Sequence, residues 1–188
     1  MNTPNRLTVL RVLLVPVFLI FLMISRIPHH YGFALAVFVI ASLTDYLDGH
    51  LARKHDQVTT FGKFLDPLAD KILVSSALIC FIELGFASSI AVVLIIFREF
   101  MVTSIRLVAS GEGKVIAASI WGKMKTAIQM VSIIAILLMQ ELLESGLLSS
   151  QFPVSSIGRG LIWVCAAVTL ISGMDYLKDN WSSVNTTK

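Results

Sequence analysis

Residues 45–53 read Asp-Tyr-Leu-Asp-Gly-His-Leu-Ala-Arg (DYLDGHLAR), directly behind the apolar run GFALAVFVIASLT at 32–44. Two carboxylates at the end of an apolar segment are costly if that segment crosses a bilayer, where ionised side chains face protein or a water-filled cavity. The rest of the chain says which solvent applies. Of 188 residues, 56% are hydrophobic and 14% are charged, against about 25% charged in an ordinary soluble domain. One soluble domain of this length has too little interior to hide that apolar surface. The bilayer is the better solvent for it.

Spans of about 20 residues are expected at 6–25, 32–53, 63–85, 88–109, 121–143 and 157–177, within one membrane domain over 1–188. The N-terminal apolar run lacks a convincing small-residue cleavage site, so it reads as a retained helix rather than a signal peptide. Pro28 and Gly32 mark SRIPHHYG (25–32) as a loop. The stretches 109–119 and 144–158 read as connectors, and the polar tail as frayed. Cys80 and Cys165 lie inside apolar runs and read as small buried residues, not as a disulfide or zinc framework. With both termini cytoplasmic, 13 of the 15 Lys and Arg fall on the cytoplasmic side, leaving Arg26 and Arg159 outside. This is a positive-inside pattern, so the net charge of +3 reflects orientation and anionic lipid. No aromatic-interleaved basic patch supports nucleic-acid binding.

The charges also share a depth. Arg11, Asp45, Asp48, Asp66, Asp70, Lys71, Arg98, Glu99, Arg106, Lys123, Lys125 and Asp175 all fall in the halves nearest the cytoplasm once chain direction alternates. Separate interfacial anchoring does not explain the acidic members, because Asp and Glu do not snorkel as Lys and Arg do. One polar chamber open to the cytoplasm does.

Asp45 and Asp48 are spaced i, i+3, and Asp66 and Asp70 i, i+4; each spacing puts a pair on one helix face. A short loop makes the two helices antiparallel neighbours, so the four carboxylates can converge. Their mutual repulsion calls for cations. An all-oxygen donor set selects hard ions such as Mg²⁺ or Mn²⁺, and four shared carboxylates suffice for the two-metal arrangement used in phosphoryl chemistry. His50 and His55 are not placed to make a zinc site. Gly49 within a helix costs about 1 kcal/mol against alanine; close approach of a ligand and tight helix packing both explain it.

Asp45-x-x-Asp48-Gly49-x-x-Ala52-Arg53, eight residues, then Gly62-x-x-x-Asp66-x-x-x-Asp70 resembles the full signature of the CDP-alcohol phosphatidyltransferase family, with all eight fixed residues present across 26 positions. Pro4-Asn5-Arg6-Leu7-Thr8-x-x-Arg11, GKFLDPLADK (62–71), Arg98-Glu99-Phe100 with Thr103 and Arg106, and Gly122-Lys123-Met124-Lys125-Thr126 resemble the bacterial members that use glycerol 3-phosphate. The likeness covers roughly 1–177.

The resemblance implies an all-α integral membrane enzyme with six transmembrane helices and a polar, metal-binding cavity open to the cytoplasm. It implies transfer of a phosphatidyl group from CDP-diacylglycerol to glycerol 3-phosphate, with CMP as the other product, in the cytoplasmic membrane and in a homodimer. By the same resemblance Asp45, Asp48, Asp66 and Asp70 hold two Mg²⁺ or Mn²⁺ ions, and Asp70 is also the general base. Gly49, Arg53 and Thr59 contact the CDP-linked lipid, with the signature positions Ala52 and Gly62 beside them. Arg6 and Arg11, with Asn5 and Thr8, are the candidates for the nucleotide end, although amphipathic insertion of the first helix explains that stretch equally. Arg98, Arg106, Lys123 and Lys125 are the candidates for the acceptor phosphate. Positive-inside anchoring is the alternative for Arg98 and the two lysines, and pairing with Glu99 or an aspartate is a further alternative for Arg98. Competing readings are transfer to another alcohol (serine, inositol phosphate or phosphatidylglycerol) and a cation-coupled transporter. The transporter is disfavoured, because neither inverted repeats nor charges at the bilayer midplane are visible.

Overall fold

The computed structural model describes the backbone of residues 3–55, 60–111 and 119–180, and the side chains in those ranges except at 3–7, 45–55, 60–67 and 70. The described chain is all-helical: α1 (Thr3–Met23), α2 (His30–His55), α3 (Thr60–Glu83), α4 (Ser89–Gly111), α5 (Ile120–Glu144) and α6 (Val154–Asp179). The helices have 21 to 26 residues, or roughly 32–39 Å at ~1.5 Å per residue, and each outlasts the ~30 Å hydrocarbon core of a bilayer. Over the described residues α5 and α6 are also apolar enough to cross a membrane. The exposed surface fits that solvent: Phe97, Phe100, Leu107, Ile120, Val131 and Val164 are all more than half exposed.

The six expected spans correspond to the six helices, with shifted ends. Gly32, expected in a loop, lies inside α2. Its missing side chain serves close packing there: a Cβ would sit 2.9 Å from the Glu141 carboxyl carbon. The left-handed residue of that connection is instead His29, at φ 56°. Gly85 and Gly146, at φ 78° and 75°, follow the ends of α3 and α5, where glycine adopts this conformation without a Cβ penalty. Ser119 caps α5, its hydroxyl accepting from the Gly122 N–H at 3.1 Å. Pro16 lies within α1; it removes one backbone donor there.

The chain divides into two compact units. The first comprises Met1–Glu83 and Ile133–Val154, with α1 packed on α2 and α3. Its core repeats at helical intervals: Val15, Phe18 and Leu22 from α1, Ala34, Phe38 and Ala41 from α2, and Leu73, Ala77, Leu78 and Phe81 from α3. The Phe18 and Phe38 rings meet at 5.7 Å. At one end the α5 carboxylates hold the start of α2. Glu141 accepts from the Gly32 N–H at 2.7 Å and contacts His29 Nδ1 at 2.6 Å. Glu144 accepts from the His29 N–H at 3.1 Å.

The second unit comprises Leu84–Ser132 and Ser155–Lys188. Three contacts set α4 and α6 side by side in the same direction. Arg159 Nε donates to the Gly85 carbonyl, Arg98 Nη2 to Ser172 Oγ, and Arg106 Nε to Tyr176 OH. The partners advance together along both segments, so the helices are parallel. The first part of α5 runs the other way: Lys125 meets Glu99, and further along Ser132 accepts from Cys165 Sγ–H at 3.2 Å. Val102, Ile105 and Tyr176 form an apolar cluster with Met101 and Leu177.

Candidate active site

The candidate carboxylates are located by backbone placement in the first unit. Asp45 and Asp48 lie on the second half of α2, and Asp66 and Asp70 on the first half of α3, with only residues 56–59 between the helices. Both pairs therefore have the helical spacing that puts each on one face. Gly49, Ala52 and Arg53 are on α2 and Gly62 is on α3. The side chains of the four aspartates, and of Asn5, Gly49, Ala52, Arg53 and Gly62, lie outside the described residues, as does Thr59 entirely. Among the described residues there is no group of three or more His, Cys, Asp or Glu suited to a metal ion. The four α2–α3 aspartates are an oxygen-only donor set, the kind that suits Mg²⁺ or Mn²⁺. Thr8, on the second turn of α1, is buried.

The candidate cations with described side chains lie in the second unit. Arg98 stands in the middle of α4 and is 7% exposed; Lys125, in the first turns of α5, is 4% exposed. Both donate to the same carboxylate oxygen: Arg98 Nη1 reaches Glu99 Oε1 at 3.0 Å, and Lys125 Nζ reaches it at 2.5 Å. Burying a charge is costly unless it is paired and hydrogen-bonded, and Glu99 supplies the pairing for both. Arg98 Nη2 also donates to Ser172 Oγ at 2.7 Å, while its Nε has no hydrogen-bond partner among the described residues. Two glycines make room for this side chain. A Cβ on Gly173 would sit 2.9 Å from Arg98 Cγ, and one on Gly122 3.9 Å from Arg98 Nη2. Further along α4, Arg106 is exposed and lies over the Tyr176 ring at 5.4 Å from its centroid, with Nε bonded to the phenol oxygen at 3.3 Å. Lys123 is exposed on the first turn of α5.

The expected acceptor cations thus separate. Arg98 and Lys125 meet through Glu99, Arg106 is held by α6, and no described contact brings Lys123 to them. Pairing of Arg98 with Glu99 was one of the readings the sequence left open. Ser172, Gly173 and Tyr176 were missed. Their signal was modest: along α6, Cys165, Thr169, Ser172 and Tyr176 recur every three or four residues, and all four are buried.

The model of the CDP-alcohol phosphatidyltransferase family matches residues 1–171. The chain belongs to this family. It is 41% identical over 196 residues to a CDP-diacylglycerol–glycerol-3-phosphate 3-phosphatidyltransferase of Bacillus subtilis (strain 168), with 98% of each chain covered. Proteins of the same name from Haemophilus influenzae and Rickettsia typhi are 37% and 34% identical. They align with 94% of this chain and with 92% and 96% of their own lengths, respectively. As a family member, the chain is a phosphatidyltransferase whose eight signature residues all stand on α2 and α3. Glu99 and its two cations lie within the matched region, whereas Ser172 and Tyr176 lie just beyond it.

Proposed function

We propose that this phosphatidyltransferase uses CDP-diacylglycerol and glycerol 3-phosphate, forming phosphatidylglycerophosphate and CMP. The observation that carries this is the end-to-end 41% identity to a relative bearing that name. The eight intact signature residues on consecutive helices support it.

Asp45, Asp48, Asp66 and Asp70 would hold two Mg²⁺ or Mn²⁺ ions. Such ions, when bound, neutralise the pyrophosphate and the departing CMP. The residues of this chain do the rest. Asp70 accepts the proton of the acceptor hydroxyl as its oxygen adds to the phosphorus that carries diacylglycerol. The bond from that phosphorus to the bridging oxygen breaks, and CMP leaves with the electron pair. A positioned base contributes about 10²–10⁴ in rate, and the remainder is positioning and charge stabilisation. Gly49, Ala52, Arg53, Thr59 and Gly62, with Asn5 and Thr8, receive the CDP-linked lipid. Arg98, Arg106, Lys123 and Lys125 receive the acceptor phosphate, for which the arginine fork is well matched.

All six helices span the cytoplasmic membrane as one domain, with both termini and a polar cavity facing the cytoplasm and the protein acting as a homodimer. A lipid-borne pyrophosphate and a water-borne alcohol can meet only at such a depth. The test is CMP release from CDP-diacylglycerol by the purified protein in mixed micelles. Release is expected to require both Mg²⁺ or Mn²⁺ and glycerol 3-phosphate. Equal turnover with serine or inositol phosphate would reassign the acceptor.

A further inference from the structure

α6 carries none of the candidate metal, lipid or phosphate ligands, yet it contacts both arginines of α4. Ser172 Oγ accepts from Arg98 Nη2 at 2.7 Å within a buried environment. Tyr176 OH accepts from Arg106 Nε at 3.3 Å, and the ring lies under the guanidinium. Residues 172 and 176 are one helical turn apart, and the parallel register of α4 and α6 brings them to residues 98 and 106 in the same order. The Tyr176 contact uses only Nε. Among the described residues nothing bonds the Arg106 Nη groups, whose N–H fork is the one that grips phosphate bidentately. The Arg106 side chain is exposed; unanchored, it would sample many rotamers and lose that freedom on binding an anion.

We propose that Ser172 and Tyr176 are positioning residues, which fix Arg98 and Arg106 for the phosphate of the acceptor alcohol. This rests on the reading of those arginines as acceptor-phosphate ligands. The competing role for Tyr176 is packing alone, since it is 2% exposed and sits in the Val102–Ile105 cluster. Phenylalanine would serve that role equally well, which makes Tyr176→Phe the discriminating change.

The experiment is steady-state kinetics of the full-length protein in mixed micelles, varying glycerol 3-phosphate and CDP-diacylglycerol separately, with the melting temperature of each variant. Tyr176→Phe is expected to raise KM for glycerol 3-phosphate several-fold, and Ser172→Ala about tenfold, the scale of a lost hydrogen bond to a charged group. In both, kcat stays within about twofold and KM for CDP-diacylglycerol is unchanged, the pattern of lost binding at one substrate only. Arg106→Gln raises the same KM, and adding Tyr176→Phe to it has no further effect, because residues acting through one contact are not additive. Additive effects in that pair, equal changes for both substrates, or a wild-type KM in Tyr176→Phe would overturn the positioning role and leave the arginine assignment standing. An unchanged acceptor KM in Arg106→Gln would overturn the arginine assignment, and the positioning role with it.

Discussion

Glu99 shares one carboxylate oxygen between Arg98 and Lys125, two cations that are each at least nine-tenths buried. Replacing it with alanine removes the carboxylate that both buried cations contact. The expected loss is on the order of 3 kcal/mol, read as a lower melting temperature in detergent. Asp70→Asn is expected to act in the opposite way. It should abolish CMP release by about 10²–10⁴-fold while the melting temperature stays near that of the parent protein. Retained turnover would exclude Asp70 as the base. These residues also show how far a sequence reads. Lys125 was open between membrane anchoring and phosphate binding. The acceptor for its Nζ is 26 positions away, on a helix whose rotation about its axis no local pattern reveals.

At the scale of the helices, two of the described glycines mark close approaches between chain segments. At Gly32 an added methyl would meet the flexible end of Glu141, at 2.9 Å from its carboxyl carbon. The carboxylate can swing away, at the expense of its bond to the Gly32 N–H. Gly32→Ala should therefore destabilise by about 1–2 kcal/mol. At Gly173 the methyl would meet Arg98 Cγ, in the middle of a side chain whose head is already held by Glu99 and Ser172. That stem has less freedom, so Gly173→Ala is expected to cost more, up to about 3 kcal/mol. Thermal unfolding of the two variants side by side checks the order; a smaller loss for Gly173→Ala would contradict the close approach of α6 to α4. Helix ends were partly legible. Proline and glycine marked the 25–32 connection, yet Gly32 belongs to the helix, because glycine serves close packing as well as turning and a single sequence does not separate the two uses.

For the whole molecule, the apolar composition and the lengths of the helices point to the bilayer, and the proposed orientation rests on the positive-inside pattern. Single cysteines placed at 27 and 151, in a variant lacking Cys80 and Cys165, should react with an impermeant thiol reagent only from outside intact cells, and one at 57 only from the cytoplasm. Labelling of 57 from outside would reverse the proposed orientation. The sequence by itself determined the family, the six helical segments and the carboxylate spacing. Each of these depends on composition or on intervals of three to four residues, which helical geometry converts directly into faces. Only the tertiary structure decided that Glu99 joins Arg98 to Lys125, that α6 holds the two arginines from 70 and 74 residues away, and that Gly32 seats the carboxylate of Glu141 from 109 residues away. Those pairings depend on how each helix is rotated and set against its neighbours. Side-chain packing over the whole element fixes that, and no short stretch of sequence carries it.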